Sequence, residues 1–372
     1  MKKILFVTVN GTATDRHCWS GIPFSIHEQL KERYEIQTYV VDKRCSLLAL
    51  AHAAIIRYLR HSFVSVMFTR AFAKKASRLL QKKINENDYD CVIIFEIYGS
   101  TALAWLDVDV PVILYSDAVF STANNYYWKI EPKIAKVMDE TQQRALDNAT
   151  KVALASDWAK QSAIRDYHVP AEKIELVHFG ANVEITEFQA KKHEGINLLF
   201  VGIEGVRKGV DVAIDCVKHL NEMDPGTKYE LNVVGCNPEC DDPAVHVHGF
   251  LNRNNPAERE KLENLRAVSD FFIMPTRAEA AGIVFCEADA YSLPSISYRT
   301  GGVPDYVIDG ETGILLDVTC SGRDFAEKIL ETLKDGDKLG RMKKRANELY
   351  HEEYNWRKAA DSISKIIETV TK

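Results

Sequence analysis

Short apolar runs alternate with amphipathic stretches along the whole chain. In the first half the runs are Ile4–Val9, Ile36–Val41, Cys91–Phe95, Val110–Tyr115 and Val152–Ala155. A second series starts at Asn197–Val201 and continues through Tyr229–Val234, Val245–Val247, Phe271–Met274, Ser295–Tyr298 and Ile314–Leu316. Each is short and near-continuously apolar, as expected of a strand buried on both faces. Between them Pro23–Lys31, Lys133–Leu146 and Val210–Leu220 carry apolar residues at helical spacing. Strand and helix in alternation predict an α/β fold with doubly wound parallel sheets. The pattern restarts near residue 196, after the polar, aperiodic stretch Asn182–Gly195. That stretch reads as a linker between two Rossmann-like domains, 1–182 and 183–355, that would face each other across a cleft. A last helix, about residues 356–372, would pack back on the first domain. In such sheets ligands bind beyond the carboxyl ends of the strands.

Length and composition agree: 372 residues, 46% of them hydrophobic, suffice for two cores. The net charge of -6 gives no overall attraction to nucleic acid. The eight cysteines contain no CxxC pair or zinc-type spacing and read as free thiols of a reducing, cytoplasmic compartment. The opening Met1-Lys-Lys-Ile-Leu-Phe-Val-Thr-Val-Asn-Gly11 has too short an apolar run for a leader peptide and reads as a first strand. No window nears the 18 or so uninterrupted apolar residues of a membrane span.

Three segments carry candidate chemistry, each directly after a strand of the second series. Phe200-Val-Gly-Ile-Glu-Gly-Val-Arg207-Lys208-Gly209 sets a basic pair where a strand passes into a helix, suited to neutralising a diphosphate. Glu279-Ala-Ala-Gly-Ile-Val-Phe-Cys-Glu287 places two carboxylates around Gly282, which would open a helix. The unpaired N–H groups at such a helix start suit phosphate or sugar hydroxyls. Thr300-Gly-Gly-Val-Pro304 lets backbone approach a ligand closely. Alone, the glutamates read equally as surface acids, the basic pair as a solvated one and the glycines as an ordinary turn.

Together the segments resemble the retaining GT-B glycosyltransferases of family four, also called glycosyl transferases group 1. Glu279 and Glu287 match that family's E-x7-E signature, and Arg207-Lys208-Gly209 its RKG. Gly301-Gly-Val-Pro-Asp-Tyr-Val307 with Gly310 and Gly313 matches GG-x-P-E-x-V-x-x-G, with Asp305 for the usual Glu. The resemblance implies a GT-B fold and transfer of a sugar from a nucleotide-diphosphate sugar to a glycan or lipid-linked acceptor, as in polysaccharide biosynthesis. Arg207 and Lys208 would hold the diphosphate and stabilise the departing nucleotide. Glu279 would hold the transferred sugar, helped by the neighbouring backbone of Ala281, Gly282, Ile283 and Val284. Glu287 would bind the ribose, and Phe250 and Leu251 after Gly249 would line the base pocket. In the first domain Gly21 resembles the glycine beside the donor phosphates, where many members have Gly-Gly and this chain has Ser20-Gly21. Ser20 reads as a helix N-cap and Pro23 as a first-turn residue. Asp117 stands at a strand end where many members carry His; it would bind a donor hydroxyl or steer the acceptor, or else cap the next helix. Glu96 is a weaker candidate.

With no carboxylate marked as a nucleophile, the reading is a metal-independent front-face displacement without a cofactor. The Asp-x-Asp string Asp107-Val-Asp109 precedes a strand instead of following one. From Lys43 to Lys83 there are ten Lys or Arg and no Asp or Glu, interleaved with Leu47, Leu48, Leu50, Ile55, Ile56, Leu59, Phe63, Val66, Phe68, Phe72, Leu79 and Leu80. That composition reads as a peripheral contact with an anionic membrane surface, or as a buried helical pair with a solvated basic face. A dinucleotide oxidoreductase would need GxGxxG after the first strand, which Asn10-Gly11-Thr-Ala does not supply. The alternative is a nucleotide-sugar binding or epimerising protein of the same fold without transferase activity.

Overall fold

The computed structural model describes the chain apart from residues 10, 61–65, 125, 128–129, 131, 184, 186–187 and 372. Two compact units result: Met1–Phe179 with Trp356–Lys372, and Gly180–Asn355. The division expected after residue 182 thus falls after Phe179.

In the first unit six strands form one parallel sheet: β1 (Lys3–Val9), β2 (Glu35–Val41), β3 (Cys91–Phe95), β4 (Val112–Ser116), β5 (Lys151–Leu154) and β6 (Ile174–Leu176). Their order is β2-β1-β3-β4-β5-β6, so the winding direction reverses between β1 and β3. Three residues long and half exposed, β6 was not anticipated, because Ile-Glu-Leu carries no apolar run. Around the sheet lie α1 (Ile22–Leu30), α2 (Leu47–Arg60), α3 (Arg70–Asn85), the single turn α4 (Glu96–Ser100), α5 (Phe120–Ala123), α6 (Pro132–Asn148) and α7 (Asp157–Tyr167). The core is continuous from α3 (Phe72, Leu80, Ile84) through β1, β3 and β4 to α7.

The second unit repeats the plan with β7 (Ile196–Val201), β8 (Tyr229–Val234), β9 (Val245–Gly249), β10 (Phe271–Ile273), β11 (Ser295–Tyr298) and β12 (Gly313–Leu316). All pairings are parallel, in the order β12-β11-β10-β7-β8-β9. Here the reversal lies between β7 and β10. Helices are α8 (Gly205–Lys208), α9 (Val210–Met223), α10 (Pro256–Ala267), α11 (Ile283–Ala290), α12 (Gly322–Lys334) and α13 (Lys338–Glu352). Residues 182–195, expected as a free linker, form no helix or strand where described, yet they belong to this unit. The Lys191 N–H donates to Ala267 O at 2.8 Å, and the Phe188 and Tyr291 rings meet at 5.3 Å, so the polar segment is tied down. The final helix α14 (Trp356–Val370) belongs to the first unit. It buries Ala360, Ile363 and Ile367 and is fixed by Tyr34 Oη to Ser364 Oγ (2.6 Å) and by Arg33 to Asp361 (2.6 Å).

The basic segment divides in two. In α3 the apolar residues Phe72 and Leu80 point into the core and Lys74, Lys75, Arg78 and Lys82 point outward, so this half is an ordinary amphipathic helix. In α2, by contrast, Leu47, Leu48, Ile55 and Tyr58 are 54–81% exposed. Phe63 lies outside the described residues. None of the helices described is long and apolar enough to cross a membrane.

Candidate functional site

The second unit gathers its charged groups at the β7/β10 reversal, where a doubly wound sheet opens a crevice beyond its strand ends. After β7 the chain makes the single turn α8, whose last residues are Arg207 and Lys208, so the pair closes one short helix instead of opening the next. Gly209 follows at φ 78° and N-caps α9. A side chain there would run into the carbonyl of Pro275, just past β10, so the glycine lets the two strand-end loops touch. The loops are laced together: Arg277 N–H donates to Arg207 O at 2.8 Å, and Arg207 Nη1 to Ala278 O at 2.6 Å.

This lacing brings Lys208 onto Glu279. The Lys208 ammonium is paired with the Glu279 carboxylate, and Arg207 Nη1 lies 3.9 Å from the same oxygen. Lys208 and Glu279 side chains are 13% and 14% exposed. Arg207 also pairs with Glu204. Glu279 O further accepts from Gly302 N–H at 3.0 Å, which ties in the loop Thr300–Pro304. Gly282 N-caps α11 at φ 93° with no side-chain cap, and a Cβ there would strike the Phe285 ring. The first N–H groups of α11, at half-buried Ile283 and Val284, therefore have no intrahelical partner. Two cations, one carboxylate and a helix start meet at one place, an arrangement suited to an anion linked to a hydroxylated ring.

Glu287 lies one turn into the same helix as the Gly282 start. It is buried on α11 and held by two arginines: Arg253 Nη1 and Nη2 each donate at 2.7 Å, and Arg266 Nη2 donates at 2.5 Å. Burial alone would push its pKa up, but the two guanidiniums outweigh burial and hold it below the ordinary value. Sequence reading named neither arginine. Arg266 falls on the buried face of α10 and Arg253 in the loop before it, at separations of 21 and 34 residues from Glu287. The one local signal was Asn255-Pro256, an N-cap and first-turn pair that fixes where α10 starts. Leu251 is half-buried and Phe250 is 64% exposed, just beyond Gly249.

The first unit has its own strand-end cluster at the β1/β3 reversal. Trp19, Ser20 and Gly21 take φ of 40°, 57° and 80° in succession. The N-cap of α1 is Gly21 and not Ser20, because the chain is left-handed until Gly21 and Ser20 has no extended backbone from which to cap. Pro23 does lie in the first turn. Trp19 is held against Tyr115 and Phe179 with ring centroids 6.4 and 5.6 Å away, which sustains the strained loop. Asp117 follows β4 and is half-buried, and Val119 caps α5, so Asp117 is not the cap. Glu96, directly after β3, is buried and has φ 61°. Burial first, and then the neighbouring Asp117 charge, push its carboxyl up to about 8, although the Val9 N–H pulls the other way.

Among the described residues no cluster of His, Cys, Asp and Glu forms a metal-type group, and all eight cysteines are free. Fold and strand-end chemistry together define a GT-B protein, two parallel α/β sheets with flanking helices. Residues 183–349 match the family model of glycosyl transferases group 1. A D-inositol 3-phosphate glycosyltransferase of Corynebacterium diphtheriae is 25% identical over 76% of this chain and 71% of its own. Sucrose-phosphate synthase from Thermosynechococcus elongatus superimposes with a TM-score of 0.73 at 15% identity, covering 100% of this chain and 99% of its own. Anabaena HepE, solved with UDP and glucose, does so at 0.65 with 14% identity, covering 99% and 100%.

Proposed function

We propose that this glycosyltransferase retains the anomeric configuration of a nucleotide-diphosphate sugar and passes the sugar to a glycan or lipid-linked acceptor. The convergence of Lys208 and Arg207 on Glu279 at the start of α11 carries the proposal. A diphosphate at the two cations and the helix start leaves its attached sugar beside Glu279. As the bond from anomeric carbon to phosphate oxygen breaks, negative charge grows on the phosphate, and Arg207 and Lys208 stabilise it. The acceptor oxygen bonds to the same face of that carbon, and the departing phosphate oxygen takes the acceptor proton. No enzyme nucleophile enters, and no metal or cofactor is assigned to the charge. HepE's bound UDP and glucose support the donor class by likeness of fold. The decisive experiment is incubation with a nucleotide-sugar panel, followed by proton NMR of the product's anomeric centre. Inversion, or donor turnover in no case, would remove the proposal.

In the first unit, Gly21 is assigned to the donor phosphates and Asp117 to a donor or acceptor hydroxyl. Exposed Leu47, Leu48, Ile55 and Tyr58 on α2, with outward Lys43, Arg44, Lys74, Lys75 and Arg78, are assigned to an anionic membrane surface, which places a cytoplasmic enzyme beside a lipid-linked acceptor.

A further inference from the structure

Glu96 is only 8% exposed, at the β1/β3 reversal of the first unit, in left-handed backbone that a side chain rarely adopts. The register sets it among three strand ends. β1 and β3 pair as far as Val7 and Ile94, and the Val9 N–H beyond that point donates to the Glu96 carboxyl. β3 and β4 pair as far as Phe95 and Tyr115, so Glu96 stands opposite Ser116, and half-buried Asp117 follows one residue on. The surroundings are otherwise apolar: Phe95 packs on Phe6 and Tyr115 with centroids 5.1 and 6.1 Å away, and α6 brings Ala135 and Met138 to Ile97. The titratable groups about Glu96 are Asp117, the Tyr98 phenol and the Cys18 thiol, with Asp15 acting on Cys18 from the same loop. Burial keeps the phenol and the thiol protonated, and the Glu96 charge adds to this. To satisfy the Val9 N–H does not require an acid. An amide or hydroxyl oxygen would accept that bond without the cost of burying an ionisable group in strained backbone. What an acid adds is a proton on its second oxygen, beside a carboxylate.

We propose that Glu96 and Asp117 act as a pair carrying one proton, in which Glu96 keeps the proton and positions Asp117, and Asp117 is the carboxylate that receives a hydroxyl of the sugar donor or the acceptor. The inference rests on the proposed function and deepens its assignment of Asp117. The Val9 N–H occupies one Glu96 oxygen, so the protonated oxygen is left to serve Asp117 as a donor. An O–H beside a carboxylate makes a strong, charge-assisted hydrogen bond and fixes that carboxylate's orientation. The other Asp117 oxygen then accepts from the hydroxyl. Two ionised carboxylates this near repel, so a second charge would turn Asp117 out of place. The Glu96 proton is not transferred, because in the proposed reaction the acceptor's proton goes to the departing phosphate oxygen. Glu96 is thus a positioning residue, and its protonation decides whether Asp117 is ready.

Two measurements on the full-length protein test this. Carbon-13 NMR of the side-chain carboxyls needs no ligand. One carboxyl is expected to titrate near pH 8 in the wild type, to be missing in Glu96→Gln, and to titrate at lower pH in Asp117→Asn, where the neighbouring charge is gone. A midpoint in the ordinary carboxylate range, or one that ignores Asp117→Asn, would overturn the inference. The second measurement follows initial rates against pH, with UDP-glucose, GDP-mannose and UDP-N-acetylglucosamine as donors and methyl α-glucoside, methyl α-mannoside or water as acceptor. In the wild type kcat/KM should fall by about ten-fold per pH unit above the Glu96 midpoint. Glu96→Gln keeps an acceptor for Val9 and a donor for Asp117; it should lack that fall and exceed Glu96→Ala by about ten-fold, the scale of one charge-assisted hydrogen bond. If the alanine variant folds poorly, the lost fall in Glu96→Gln still decides. A fall in transfer to the methyl glycosides but not in hydrolysis assigns the hydroxyl to the acceptor, and a fall in both assigns it to the donor sugar. A Glu96→Gln variant that keeps the fall, or a folded Glu96→Ala variant as active as Glu96→Gln, would overturn the inference. A wild type that shows the expected carboxyl titration but turns over no nucleotide sugar would instead overturn the proposed function.

Discussion

Lys208 and Glu279 neutralise each other, which keeps two mostly buried charges at low cost. In the proposed function a diphosphate would offer the ammonium a second, more highly charged anion and leave Glu279 to accept from sugar hydroxyls. Removal of the ammonium should therefore affect the transition state, where phosphate charge is greatest. Lys208→Ala is expected to lower kcat by roughly 10²–10³-fold, the loss seen when one preorganised oxyanion donor is removed. Steady-state kinetics with the accepted donor checks it; an unchanged kcat/KM would refute the role. At the other cluster, Glu96 is protonated to a higher pH folded than unfolded. Between its ordinary pKa of 4.5 and its folded value of about 8 the native state binds the extra proton, so stability falls as pH rises through that window and levels off above it. Glu96→Gln removes this titration. Its unfolding free energy, from denaturant melts, should gain on the wild type steadily from pH 5 to pH 8, by on the order of 4 kcal/mol at most. A difference constant with pH would show that Glu96 is not held as the acid.

Elements explain which features the sequence disclosed. Strands β1, β3, β4, β7, β8 and β10 were legible because each is an apolar run enclosed by helices, and their ends came out within two residues. Gly282 was legible as a helix opener because few residues accept φ 93°. Gly282→Ala is accordingly expected to destabilise the start of α11 by roughly 1–2 kcal/mol through its left-handed backbone, with a further cost from the Phe285 contact. Donor affinity should fall with it, which thermal melts with and without nucleotide would reveal together. Tertiary pairings were not legible. Nothing local distinguishes Arg253 and Arg266 from other surface-type arginines, because the partner that gives them meaning lies on another helix. Glu96 in left-handed backbone has no sequence signature, since its strain is sustained by the surrounding sheet ends. The basic segment misled in part: α3 shows the same alternation of cation and apolar residue as a membrane helix, but its apolar side is core. On α2 the exposed residues remain, and co-sedimentation with anionic vesicles at low salt is expected for the wild type and reduced for Leu47→Ser/Leu48→Ser/Ile55→Ser. Equal binding to neutral and anionic vesicles would remove the electrostatic part of that assignment.

For the molecule as a whole, the chain crosses between its units twice, at Phe179/Gly180 and at Asn355/Trp356. The second crossing returns α14 to the first unit, so that unit's core is completed only after the whole of the second unit. Ile363, Ile366 and Ile367 are each at least 95% buried there. Three such side chains contribute about 5–9 kcal/mol by transfer from water, comparable with the whole stability of a domain. The groups proposed to hold the donor, Arg207, Lys208 and Glu279, by contrast, all belong to the unit that ends before α14. A chain truncated after Asn355 should therefore lose the cooperative transition of the first unit and keep that of the second. Nucleoside diphosphate at about 100 times its Kd should still stabilise the remaining transition by about 2.7 kcal/mol through mass action. Calorimetry of the truncated chain with and without nucleotide tests both parts at once. A surviving transition that ignores nucleotide would place the binding energy outside the second unit and contradict the assignment of the diphosphate to Arg207 and Lys208.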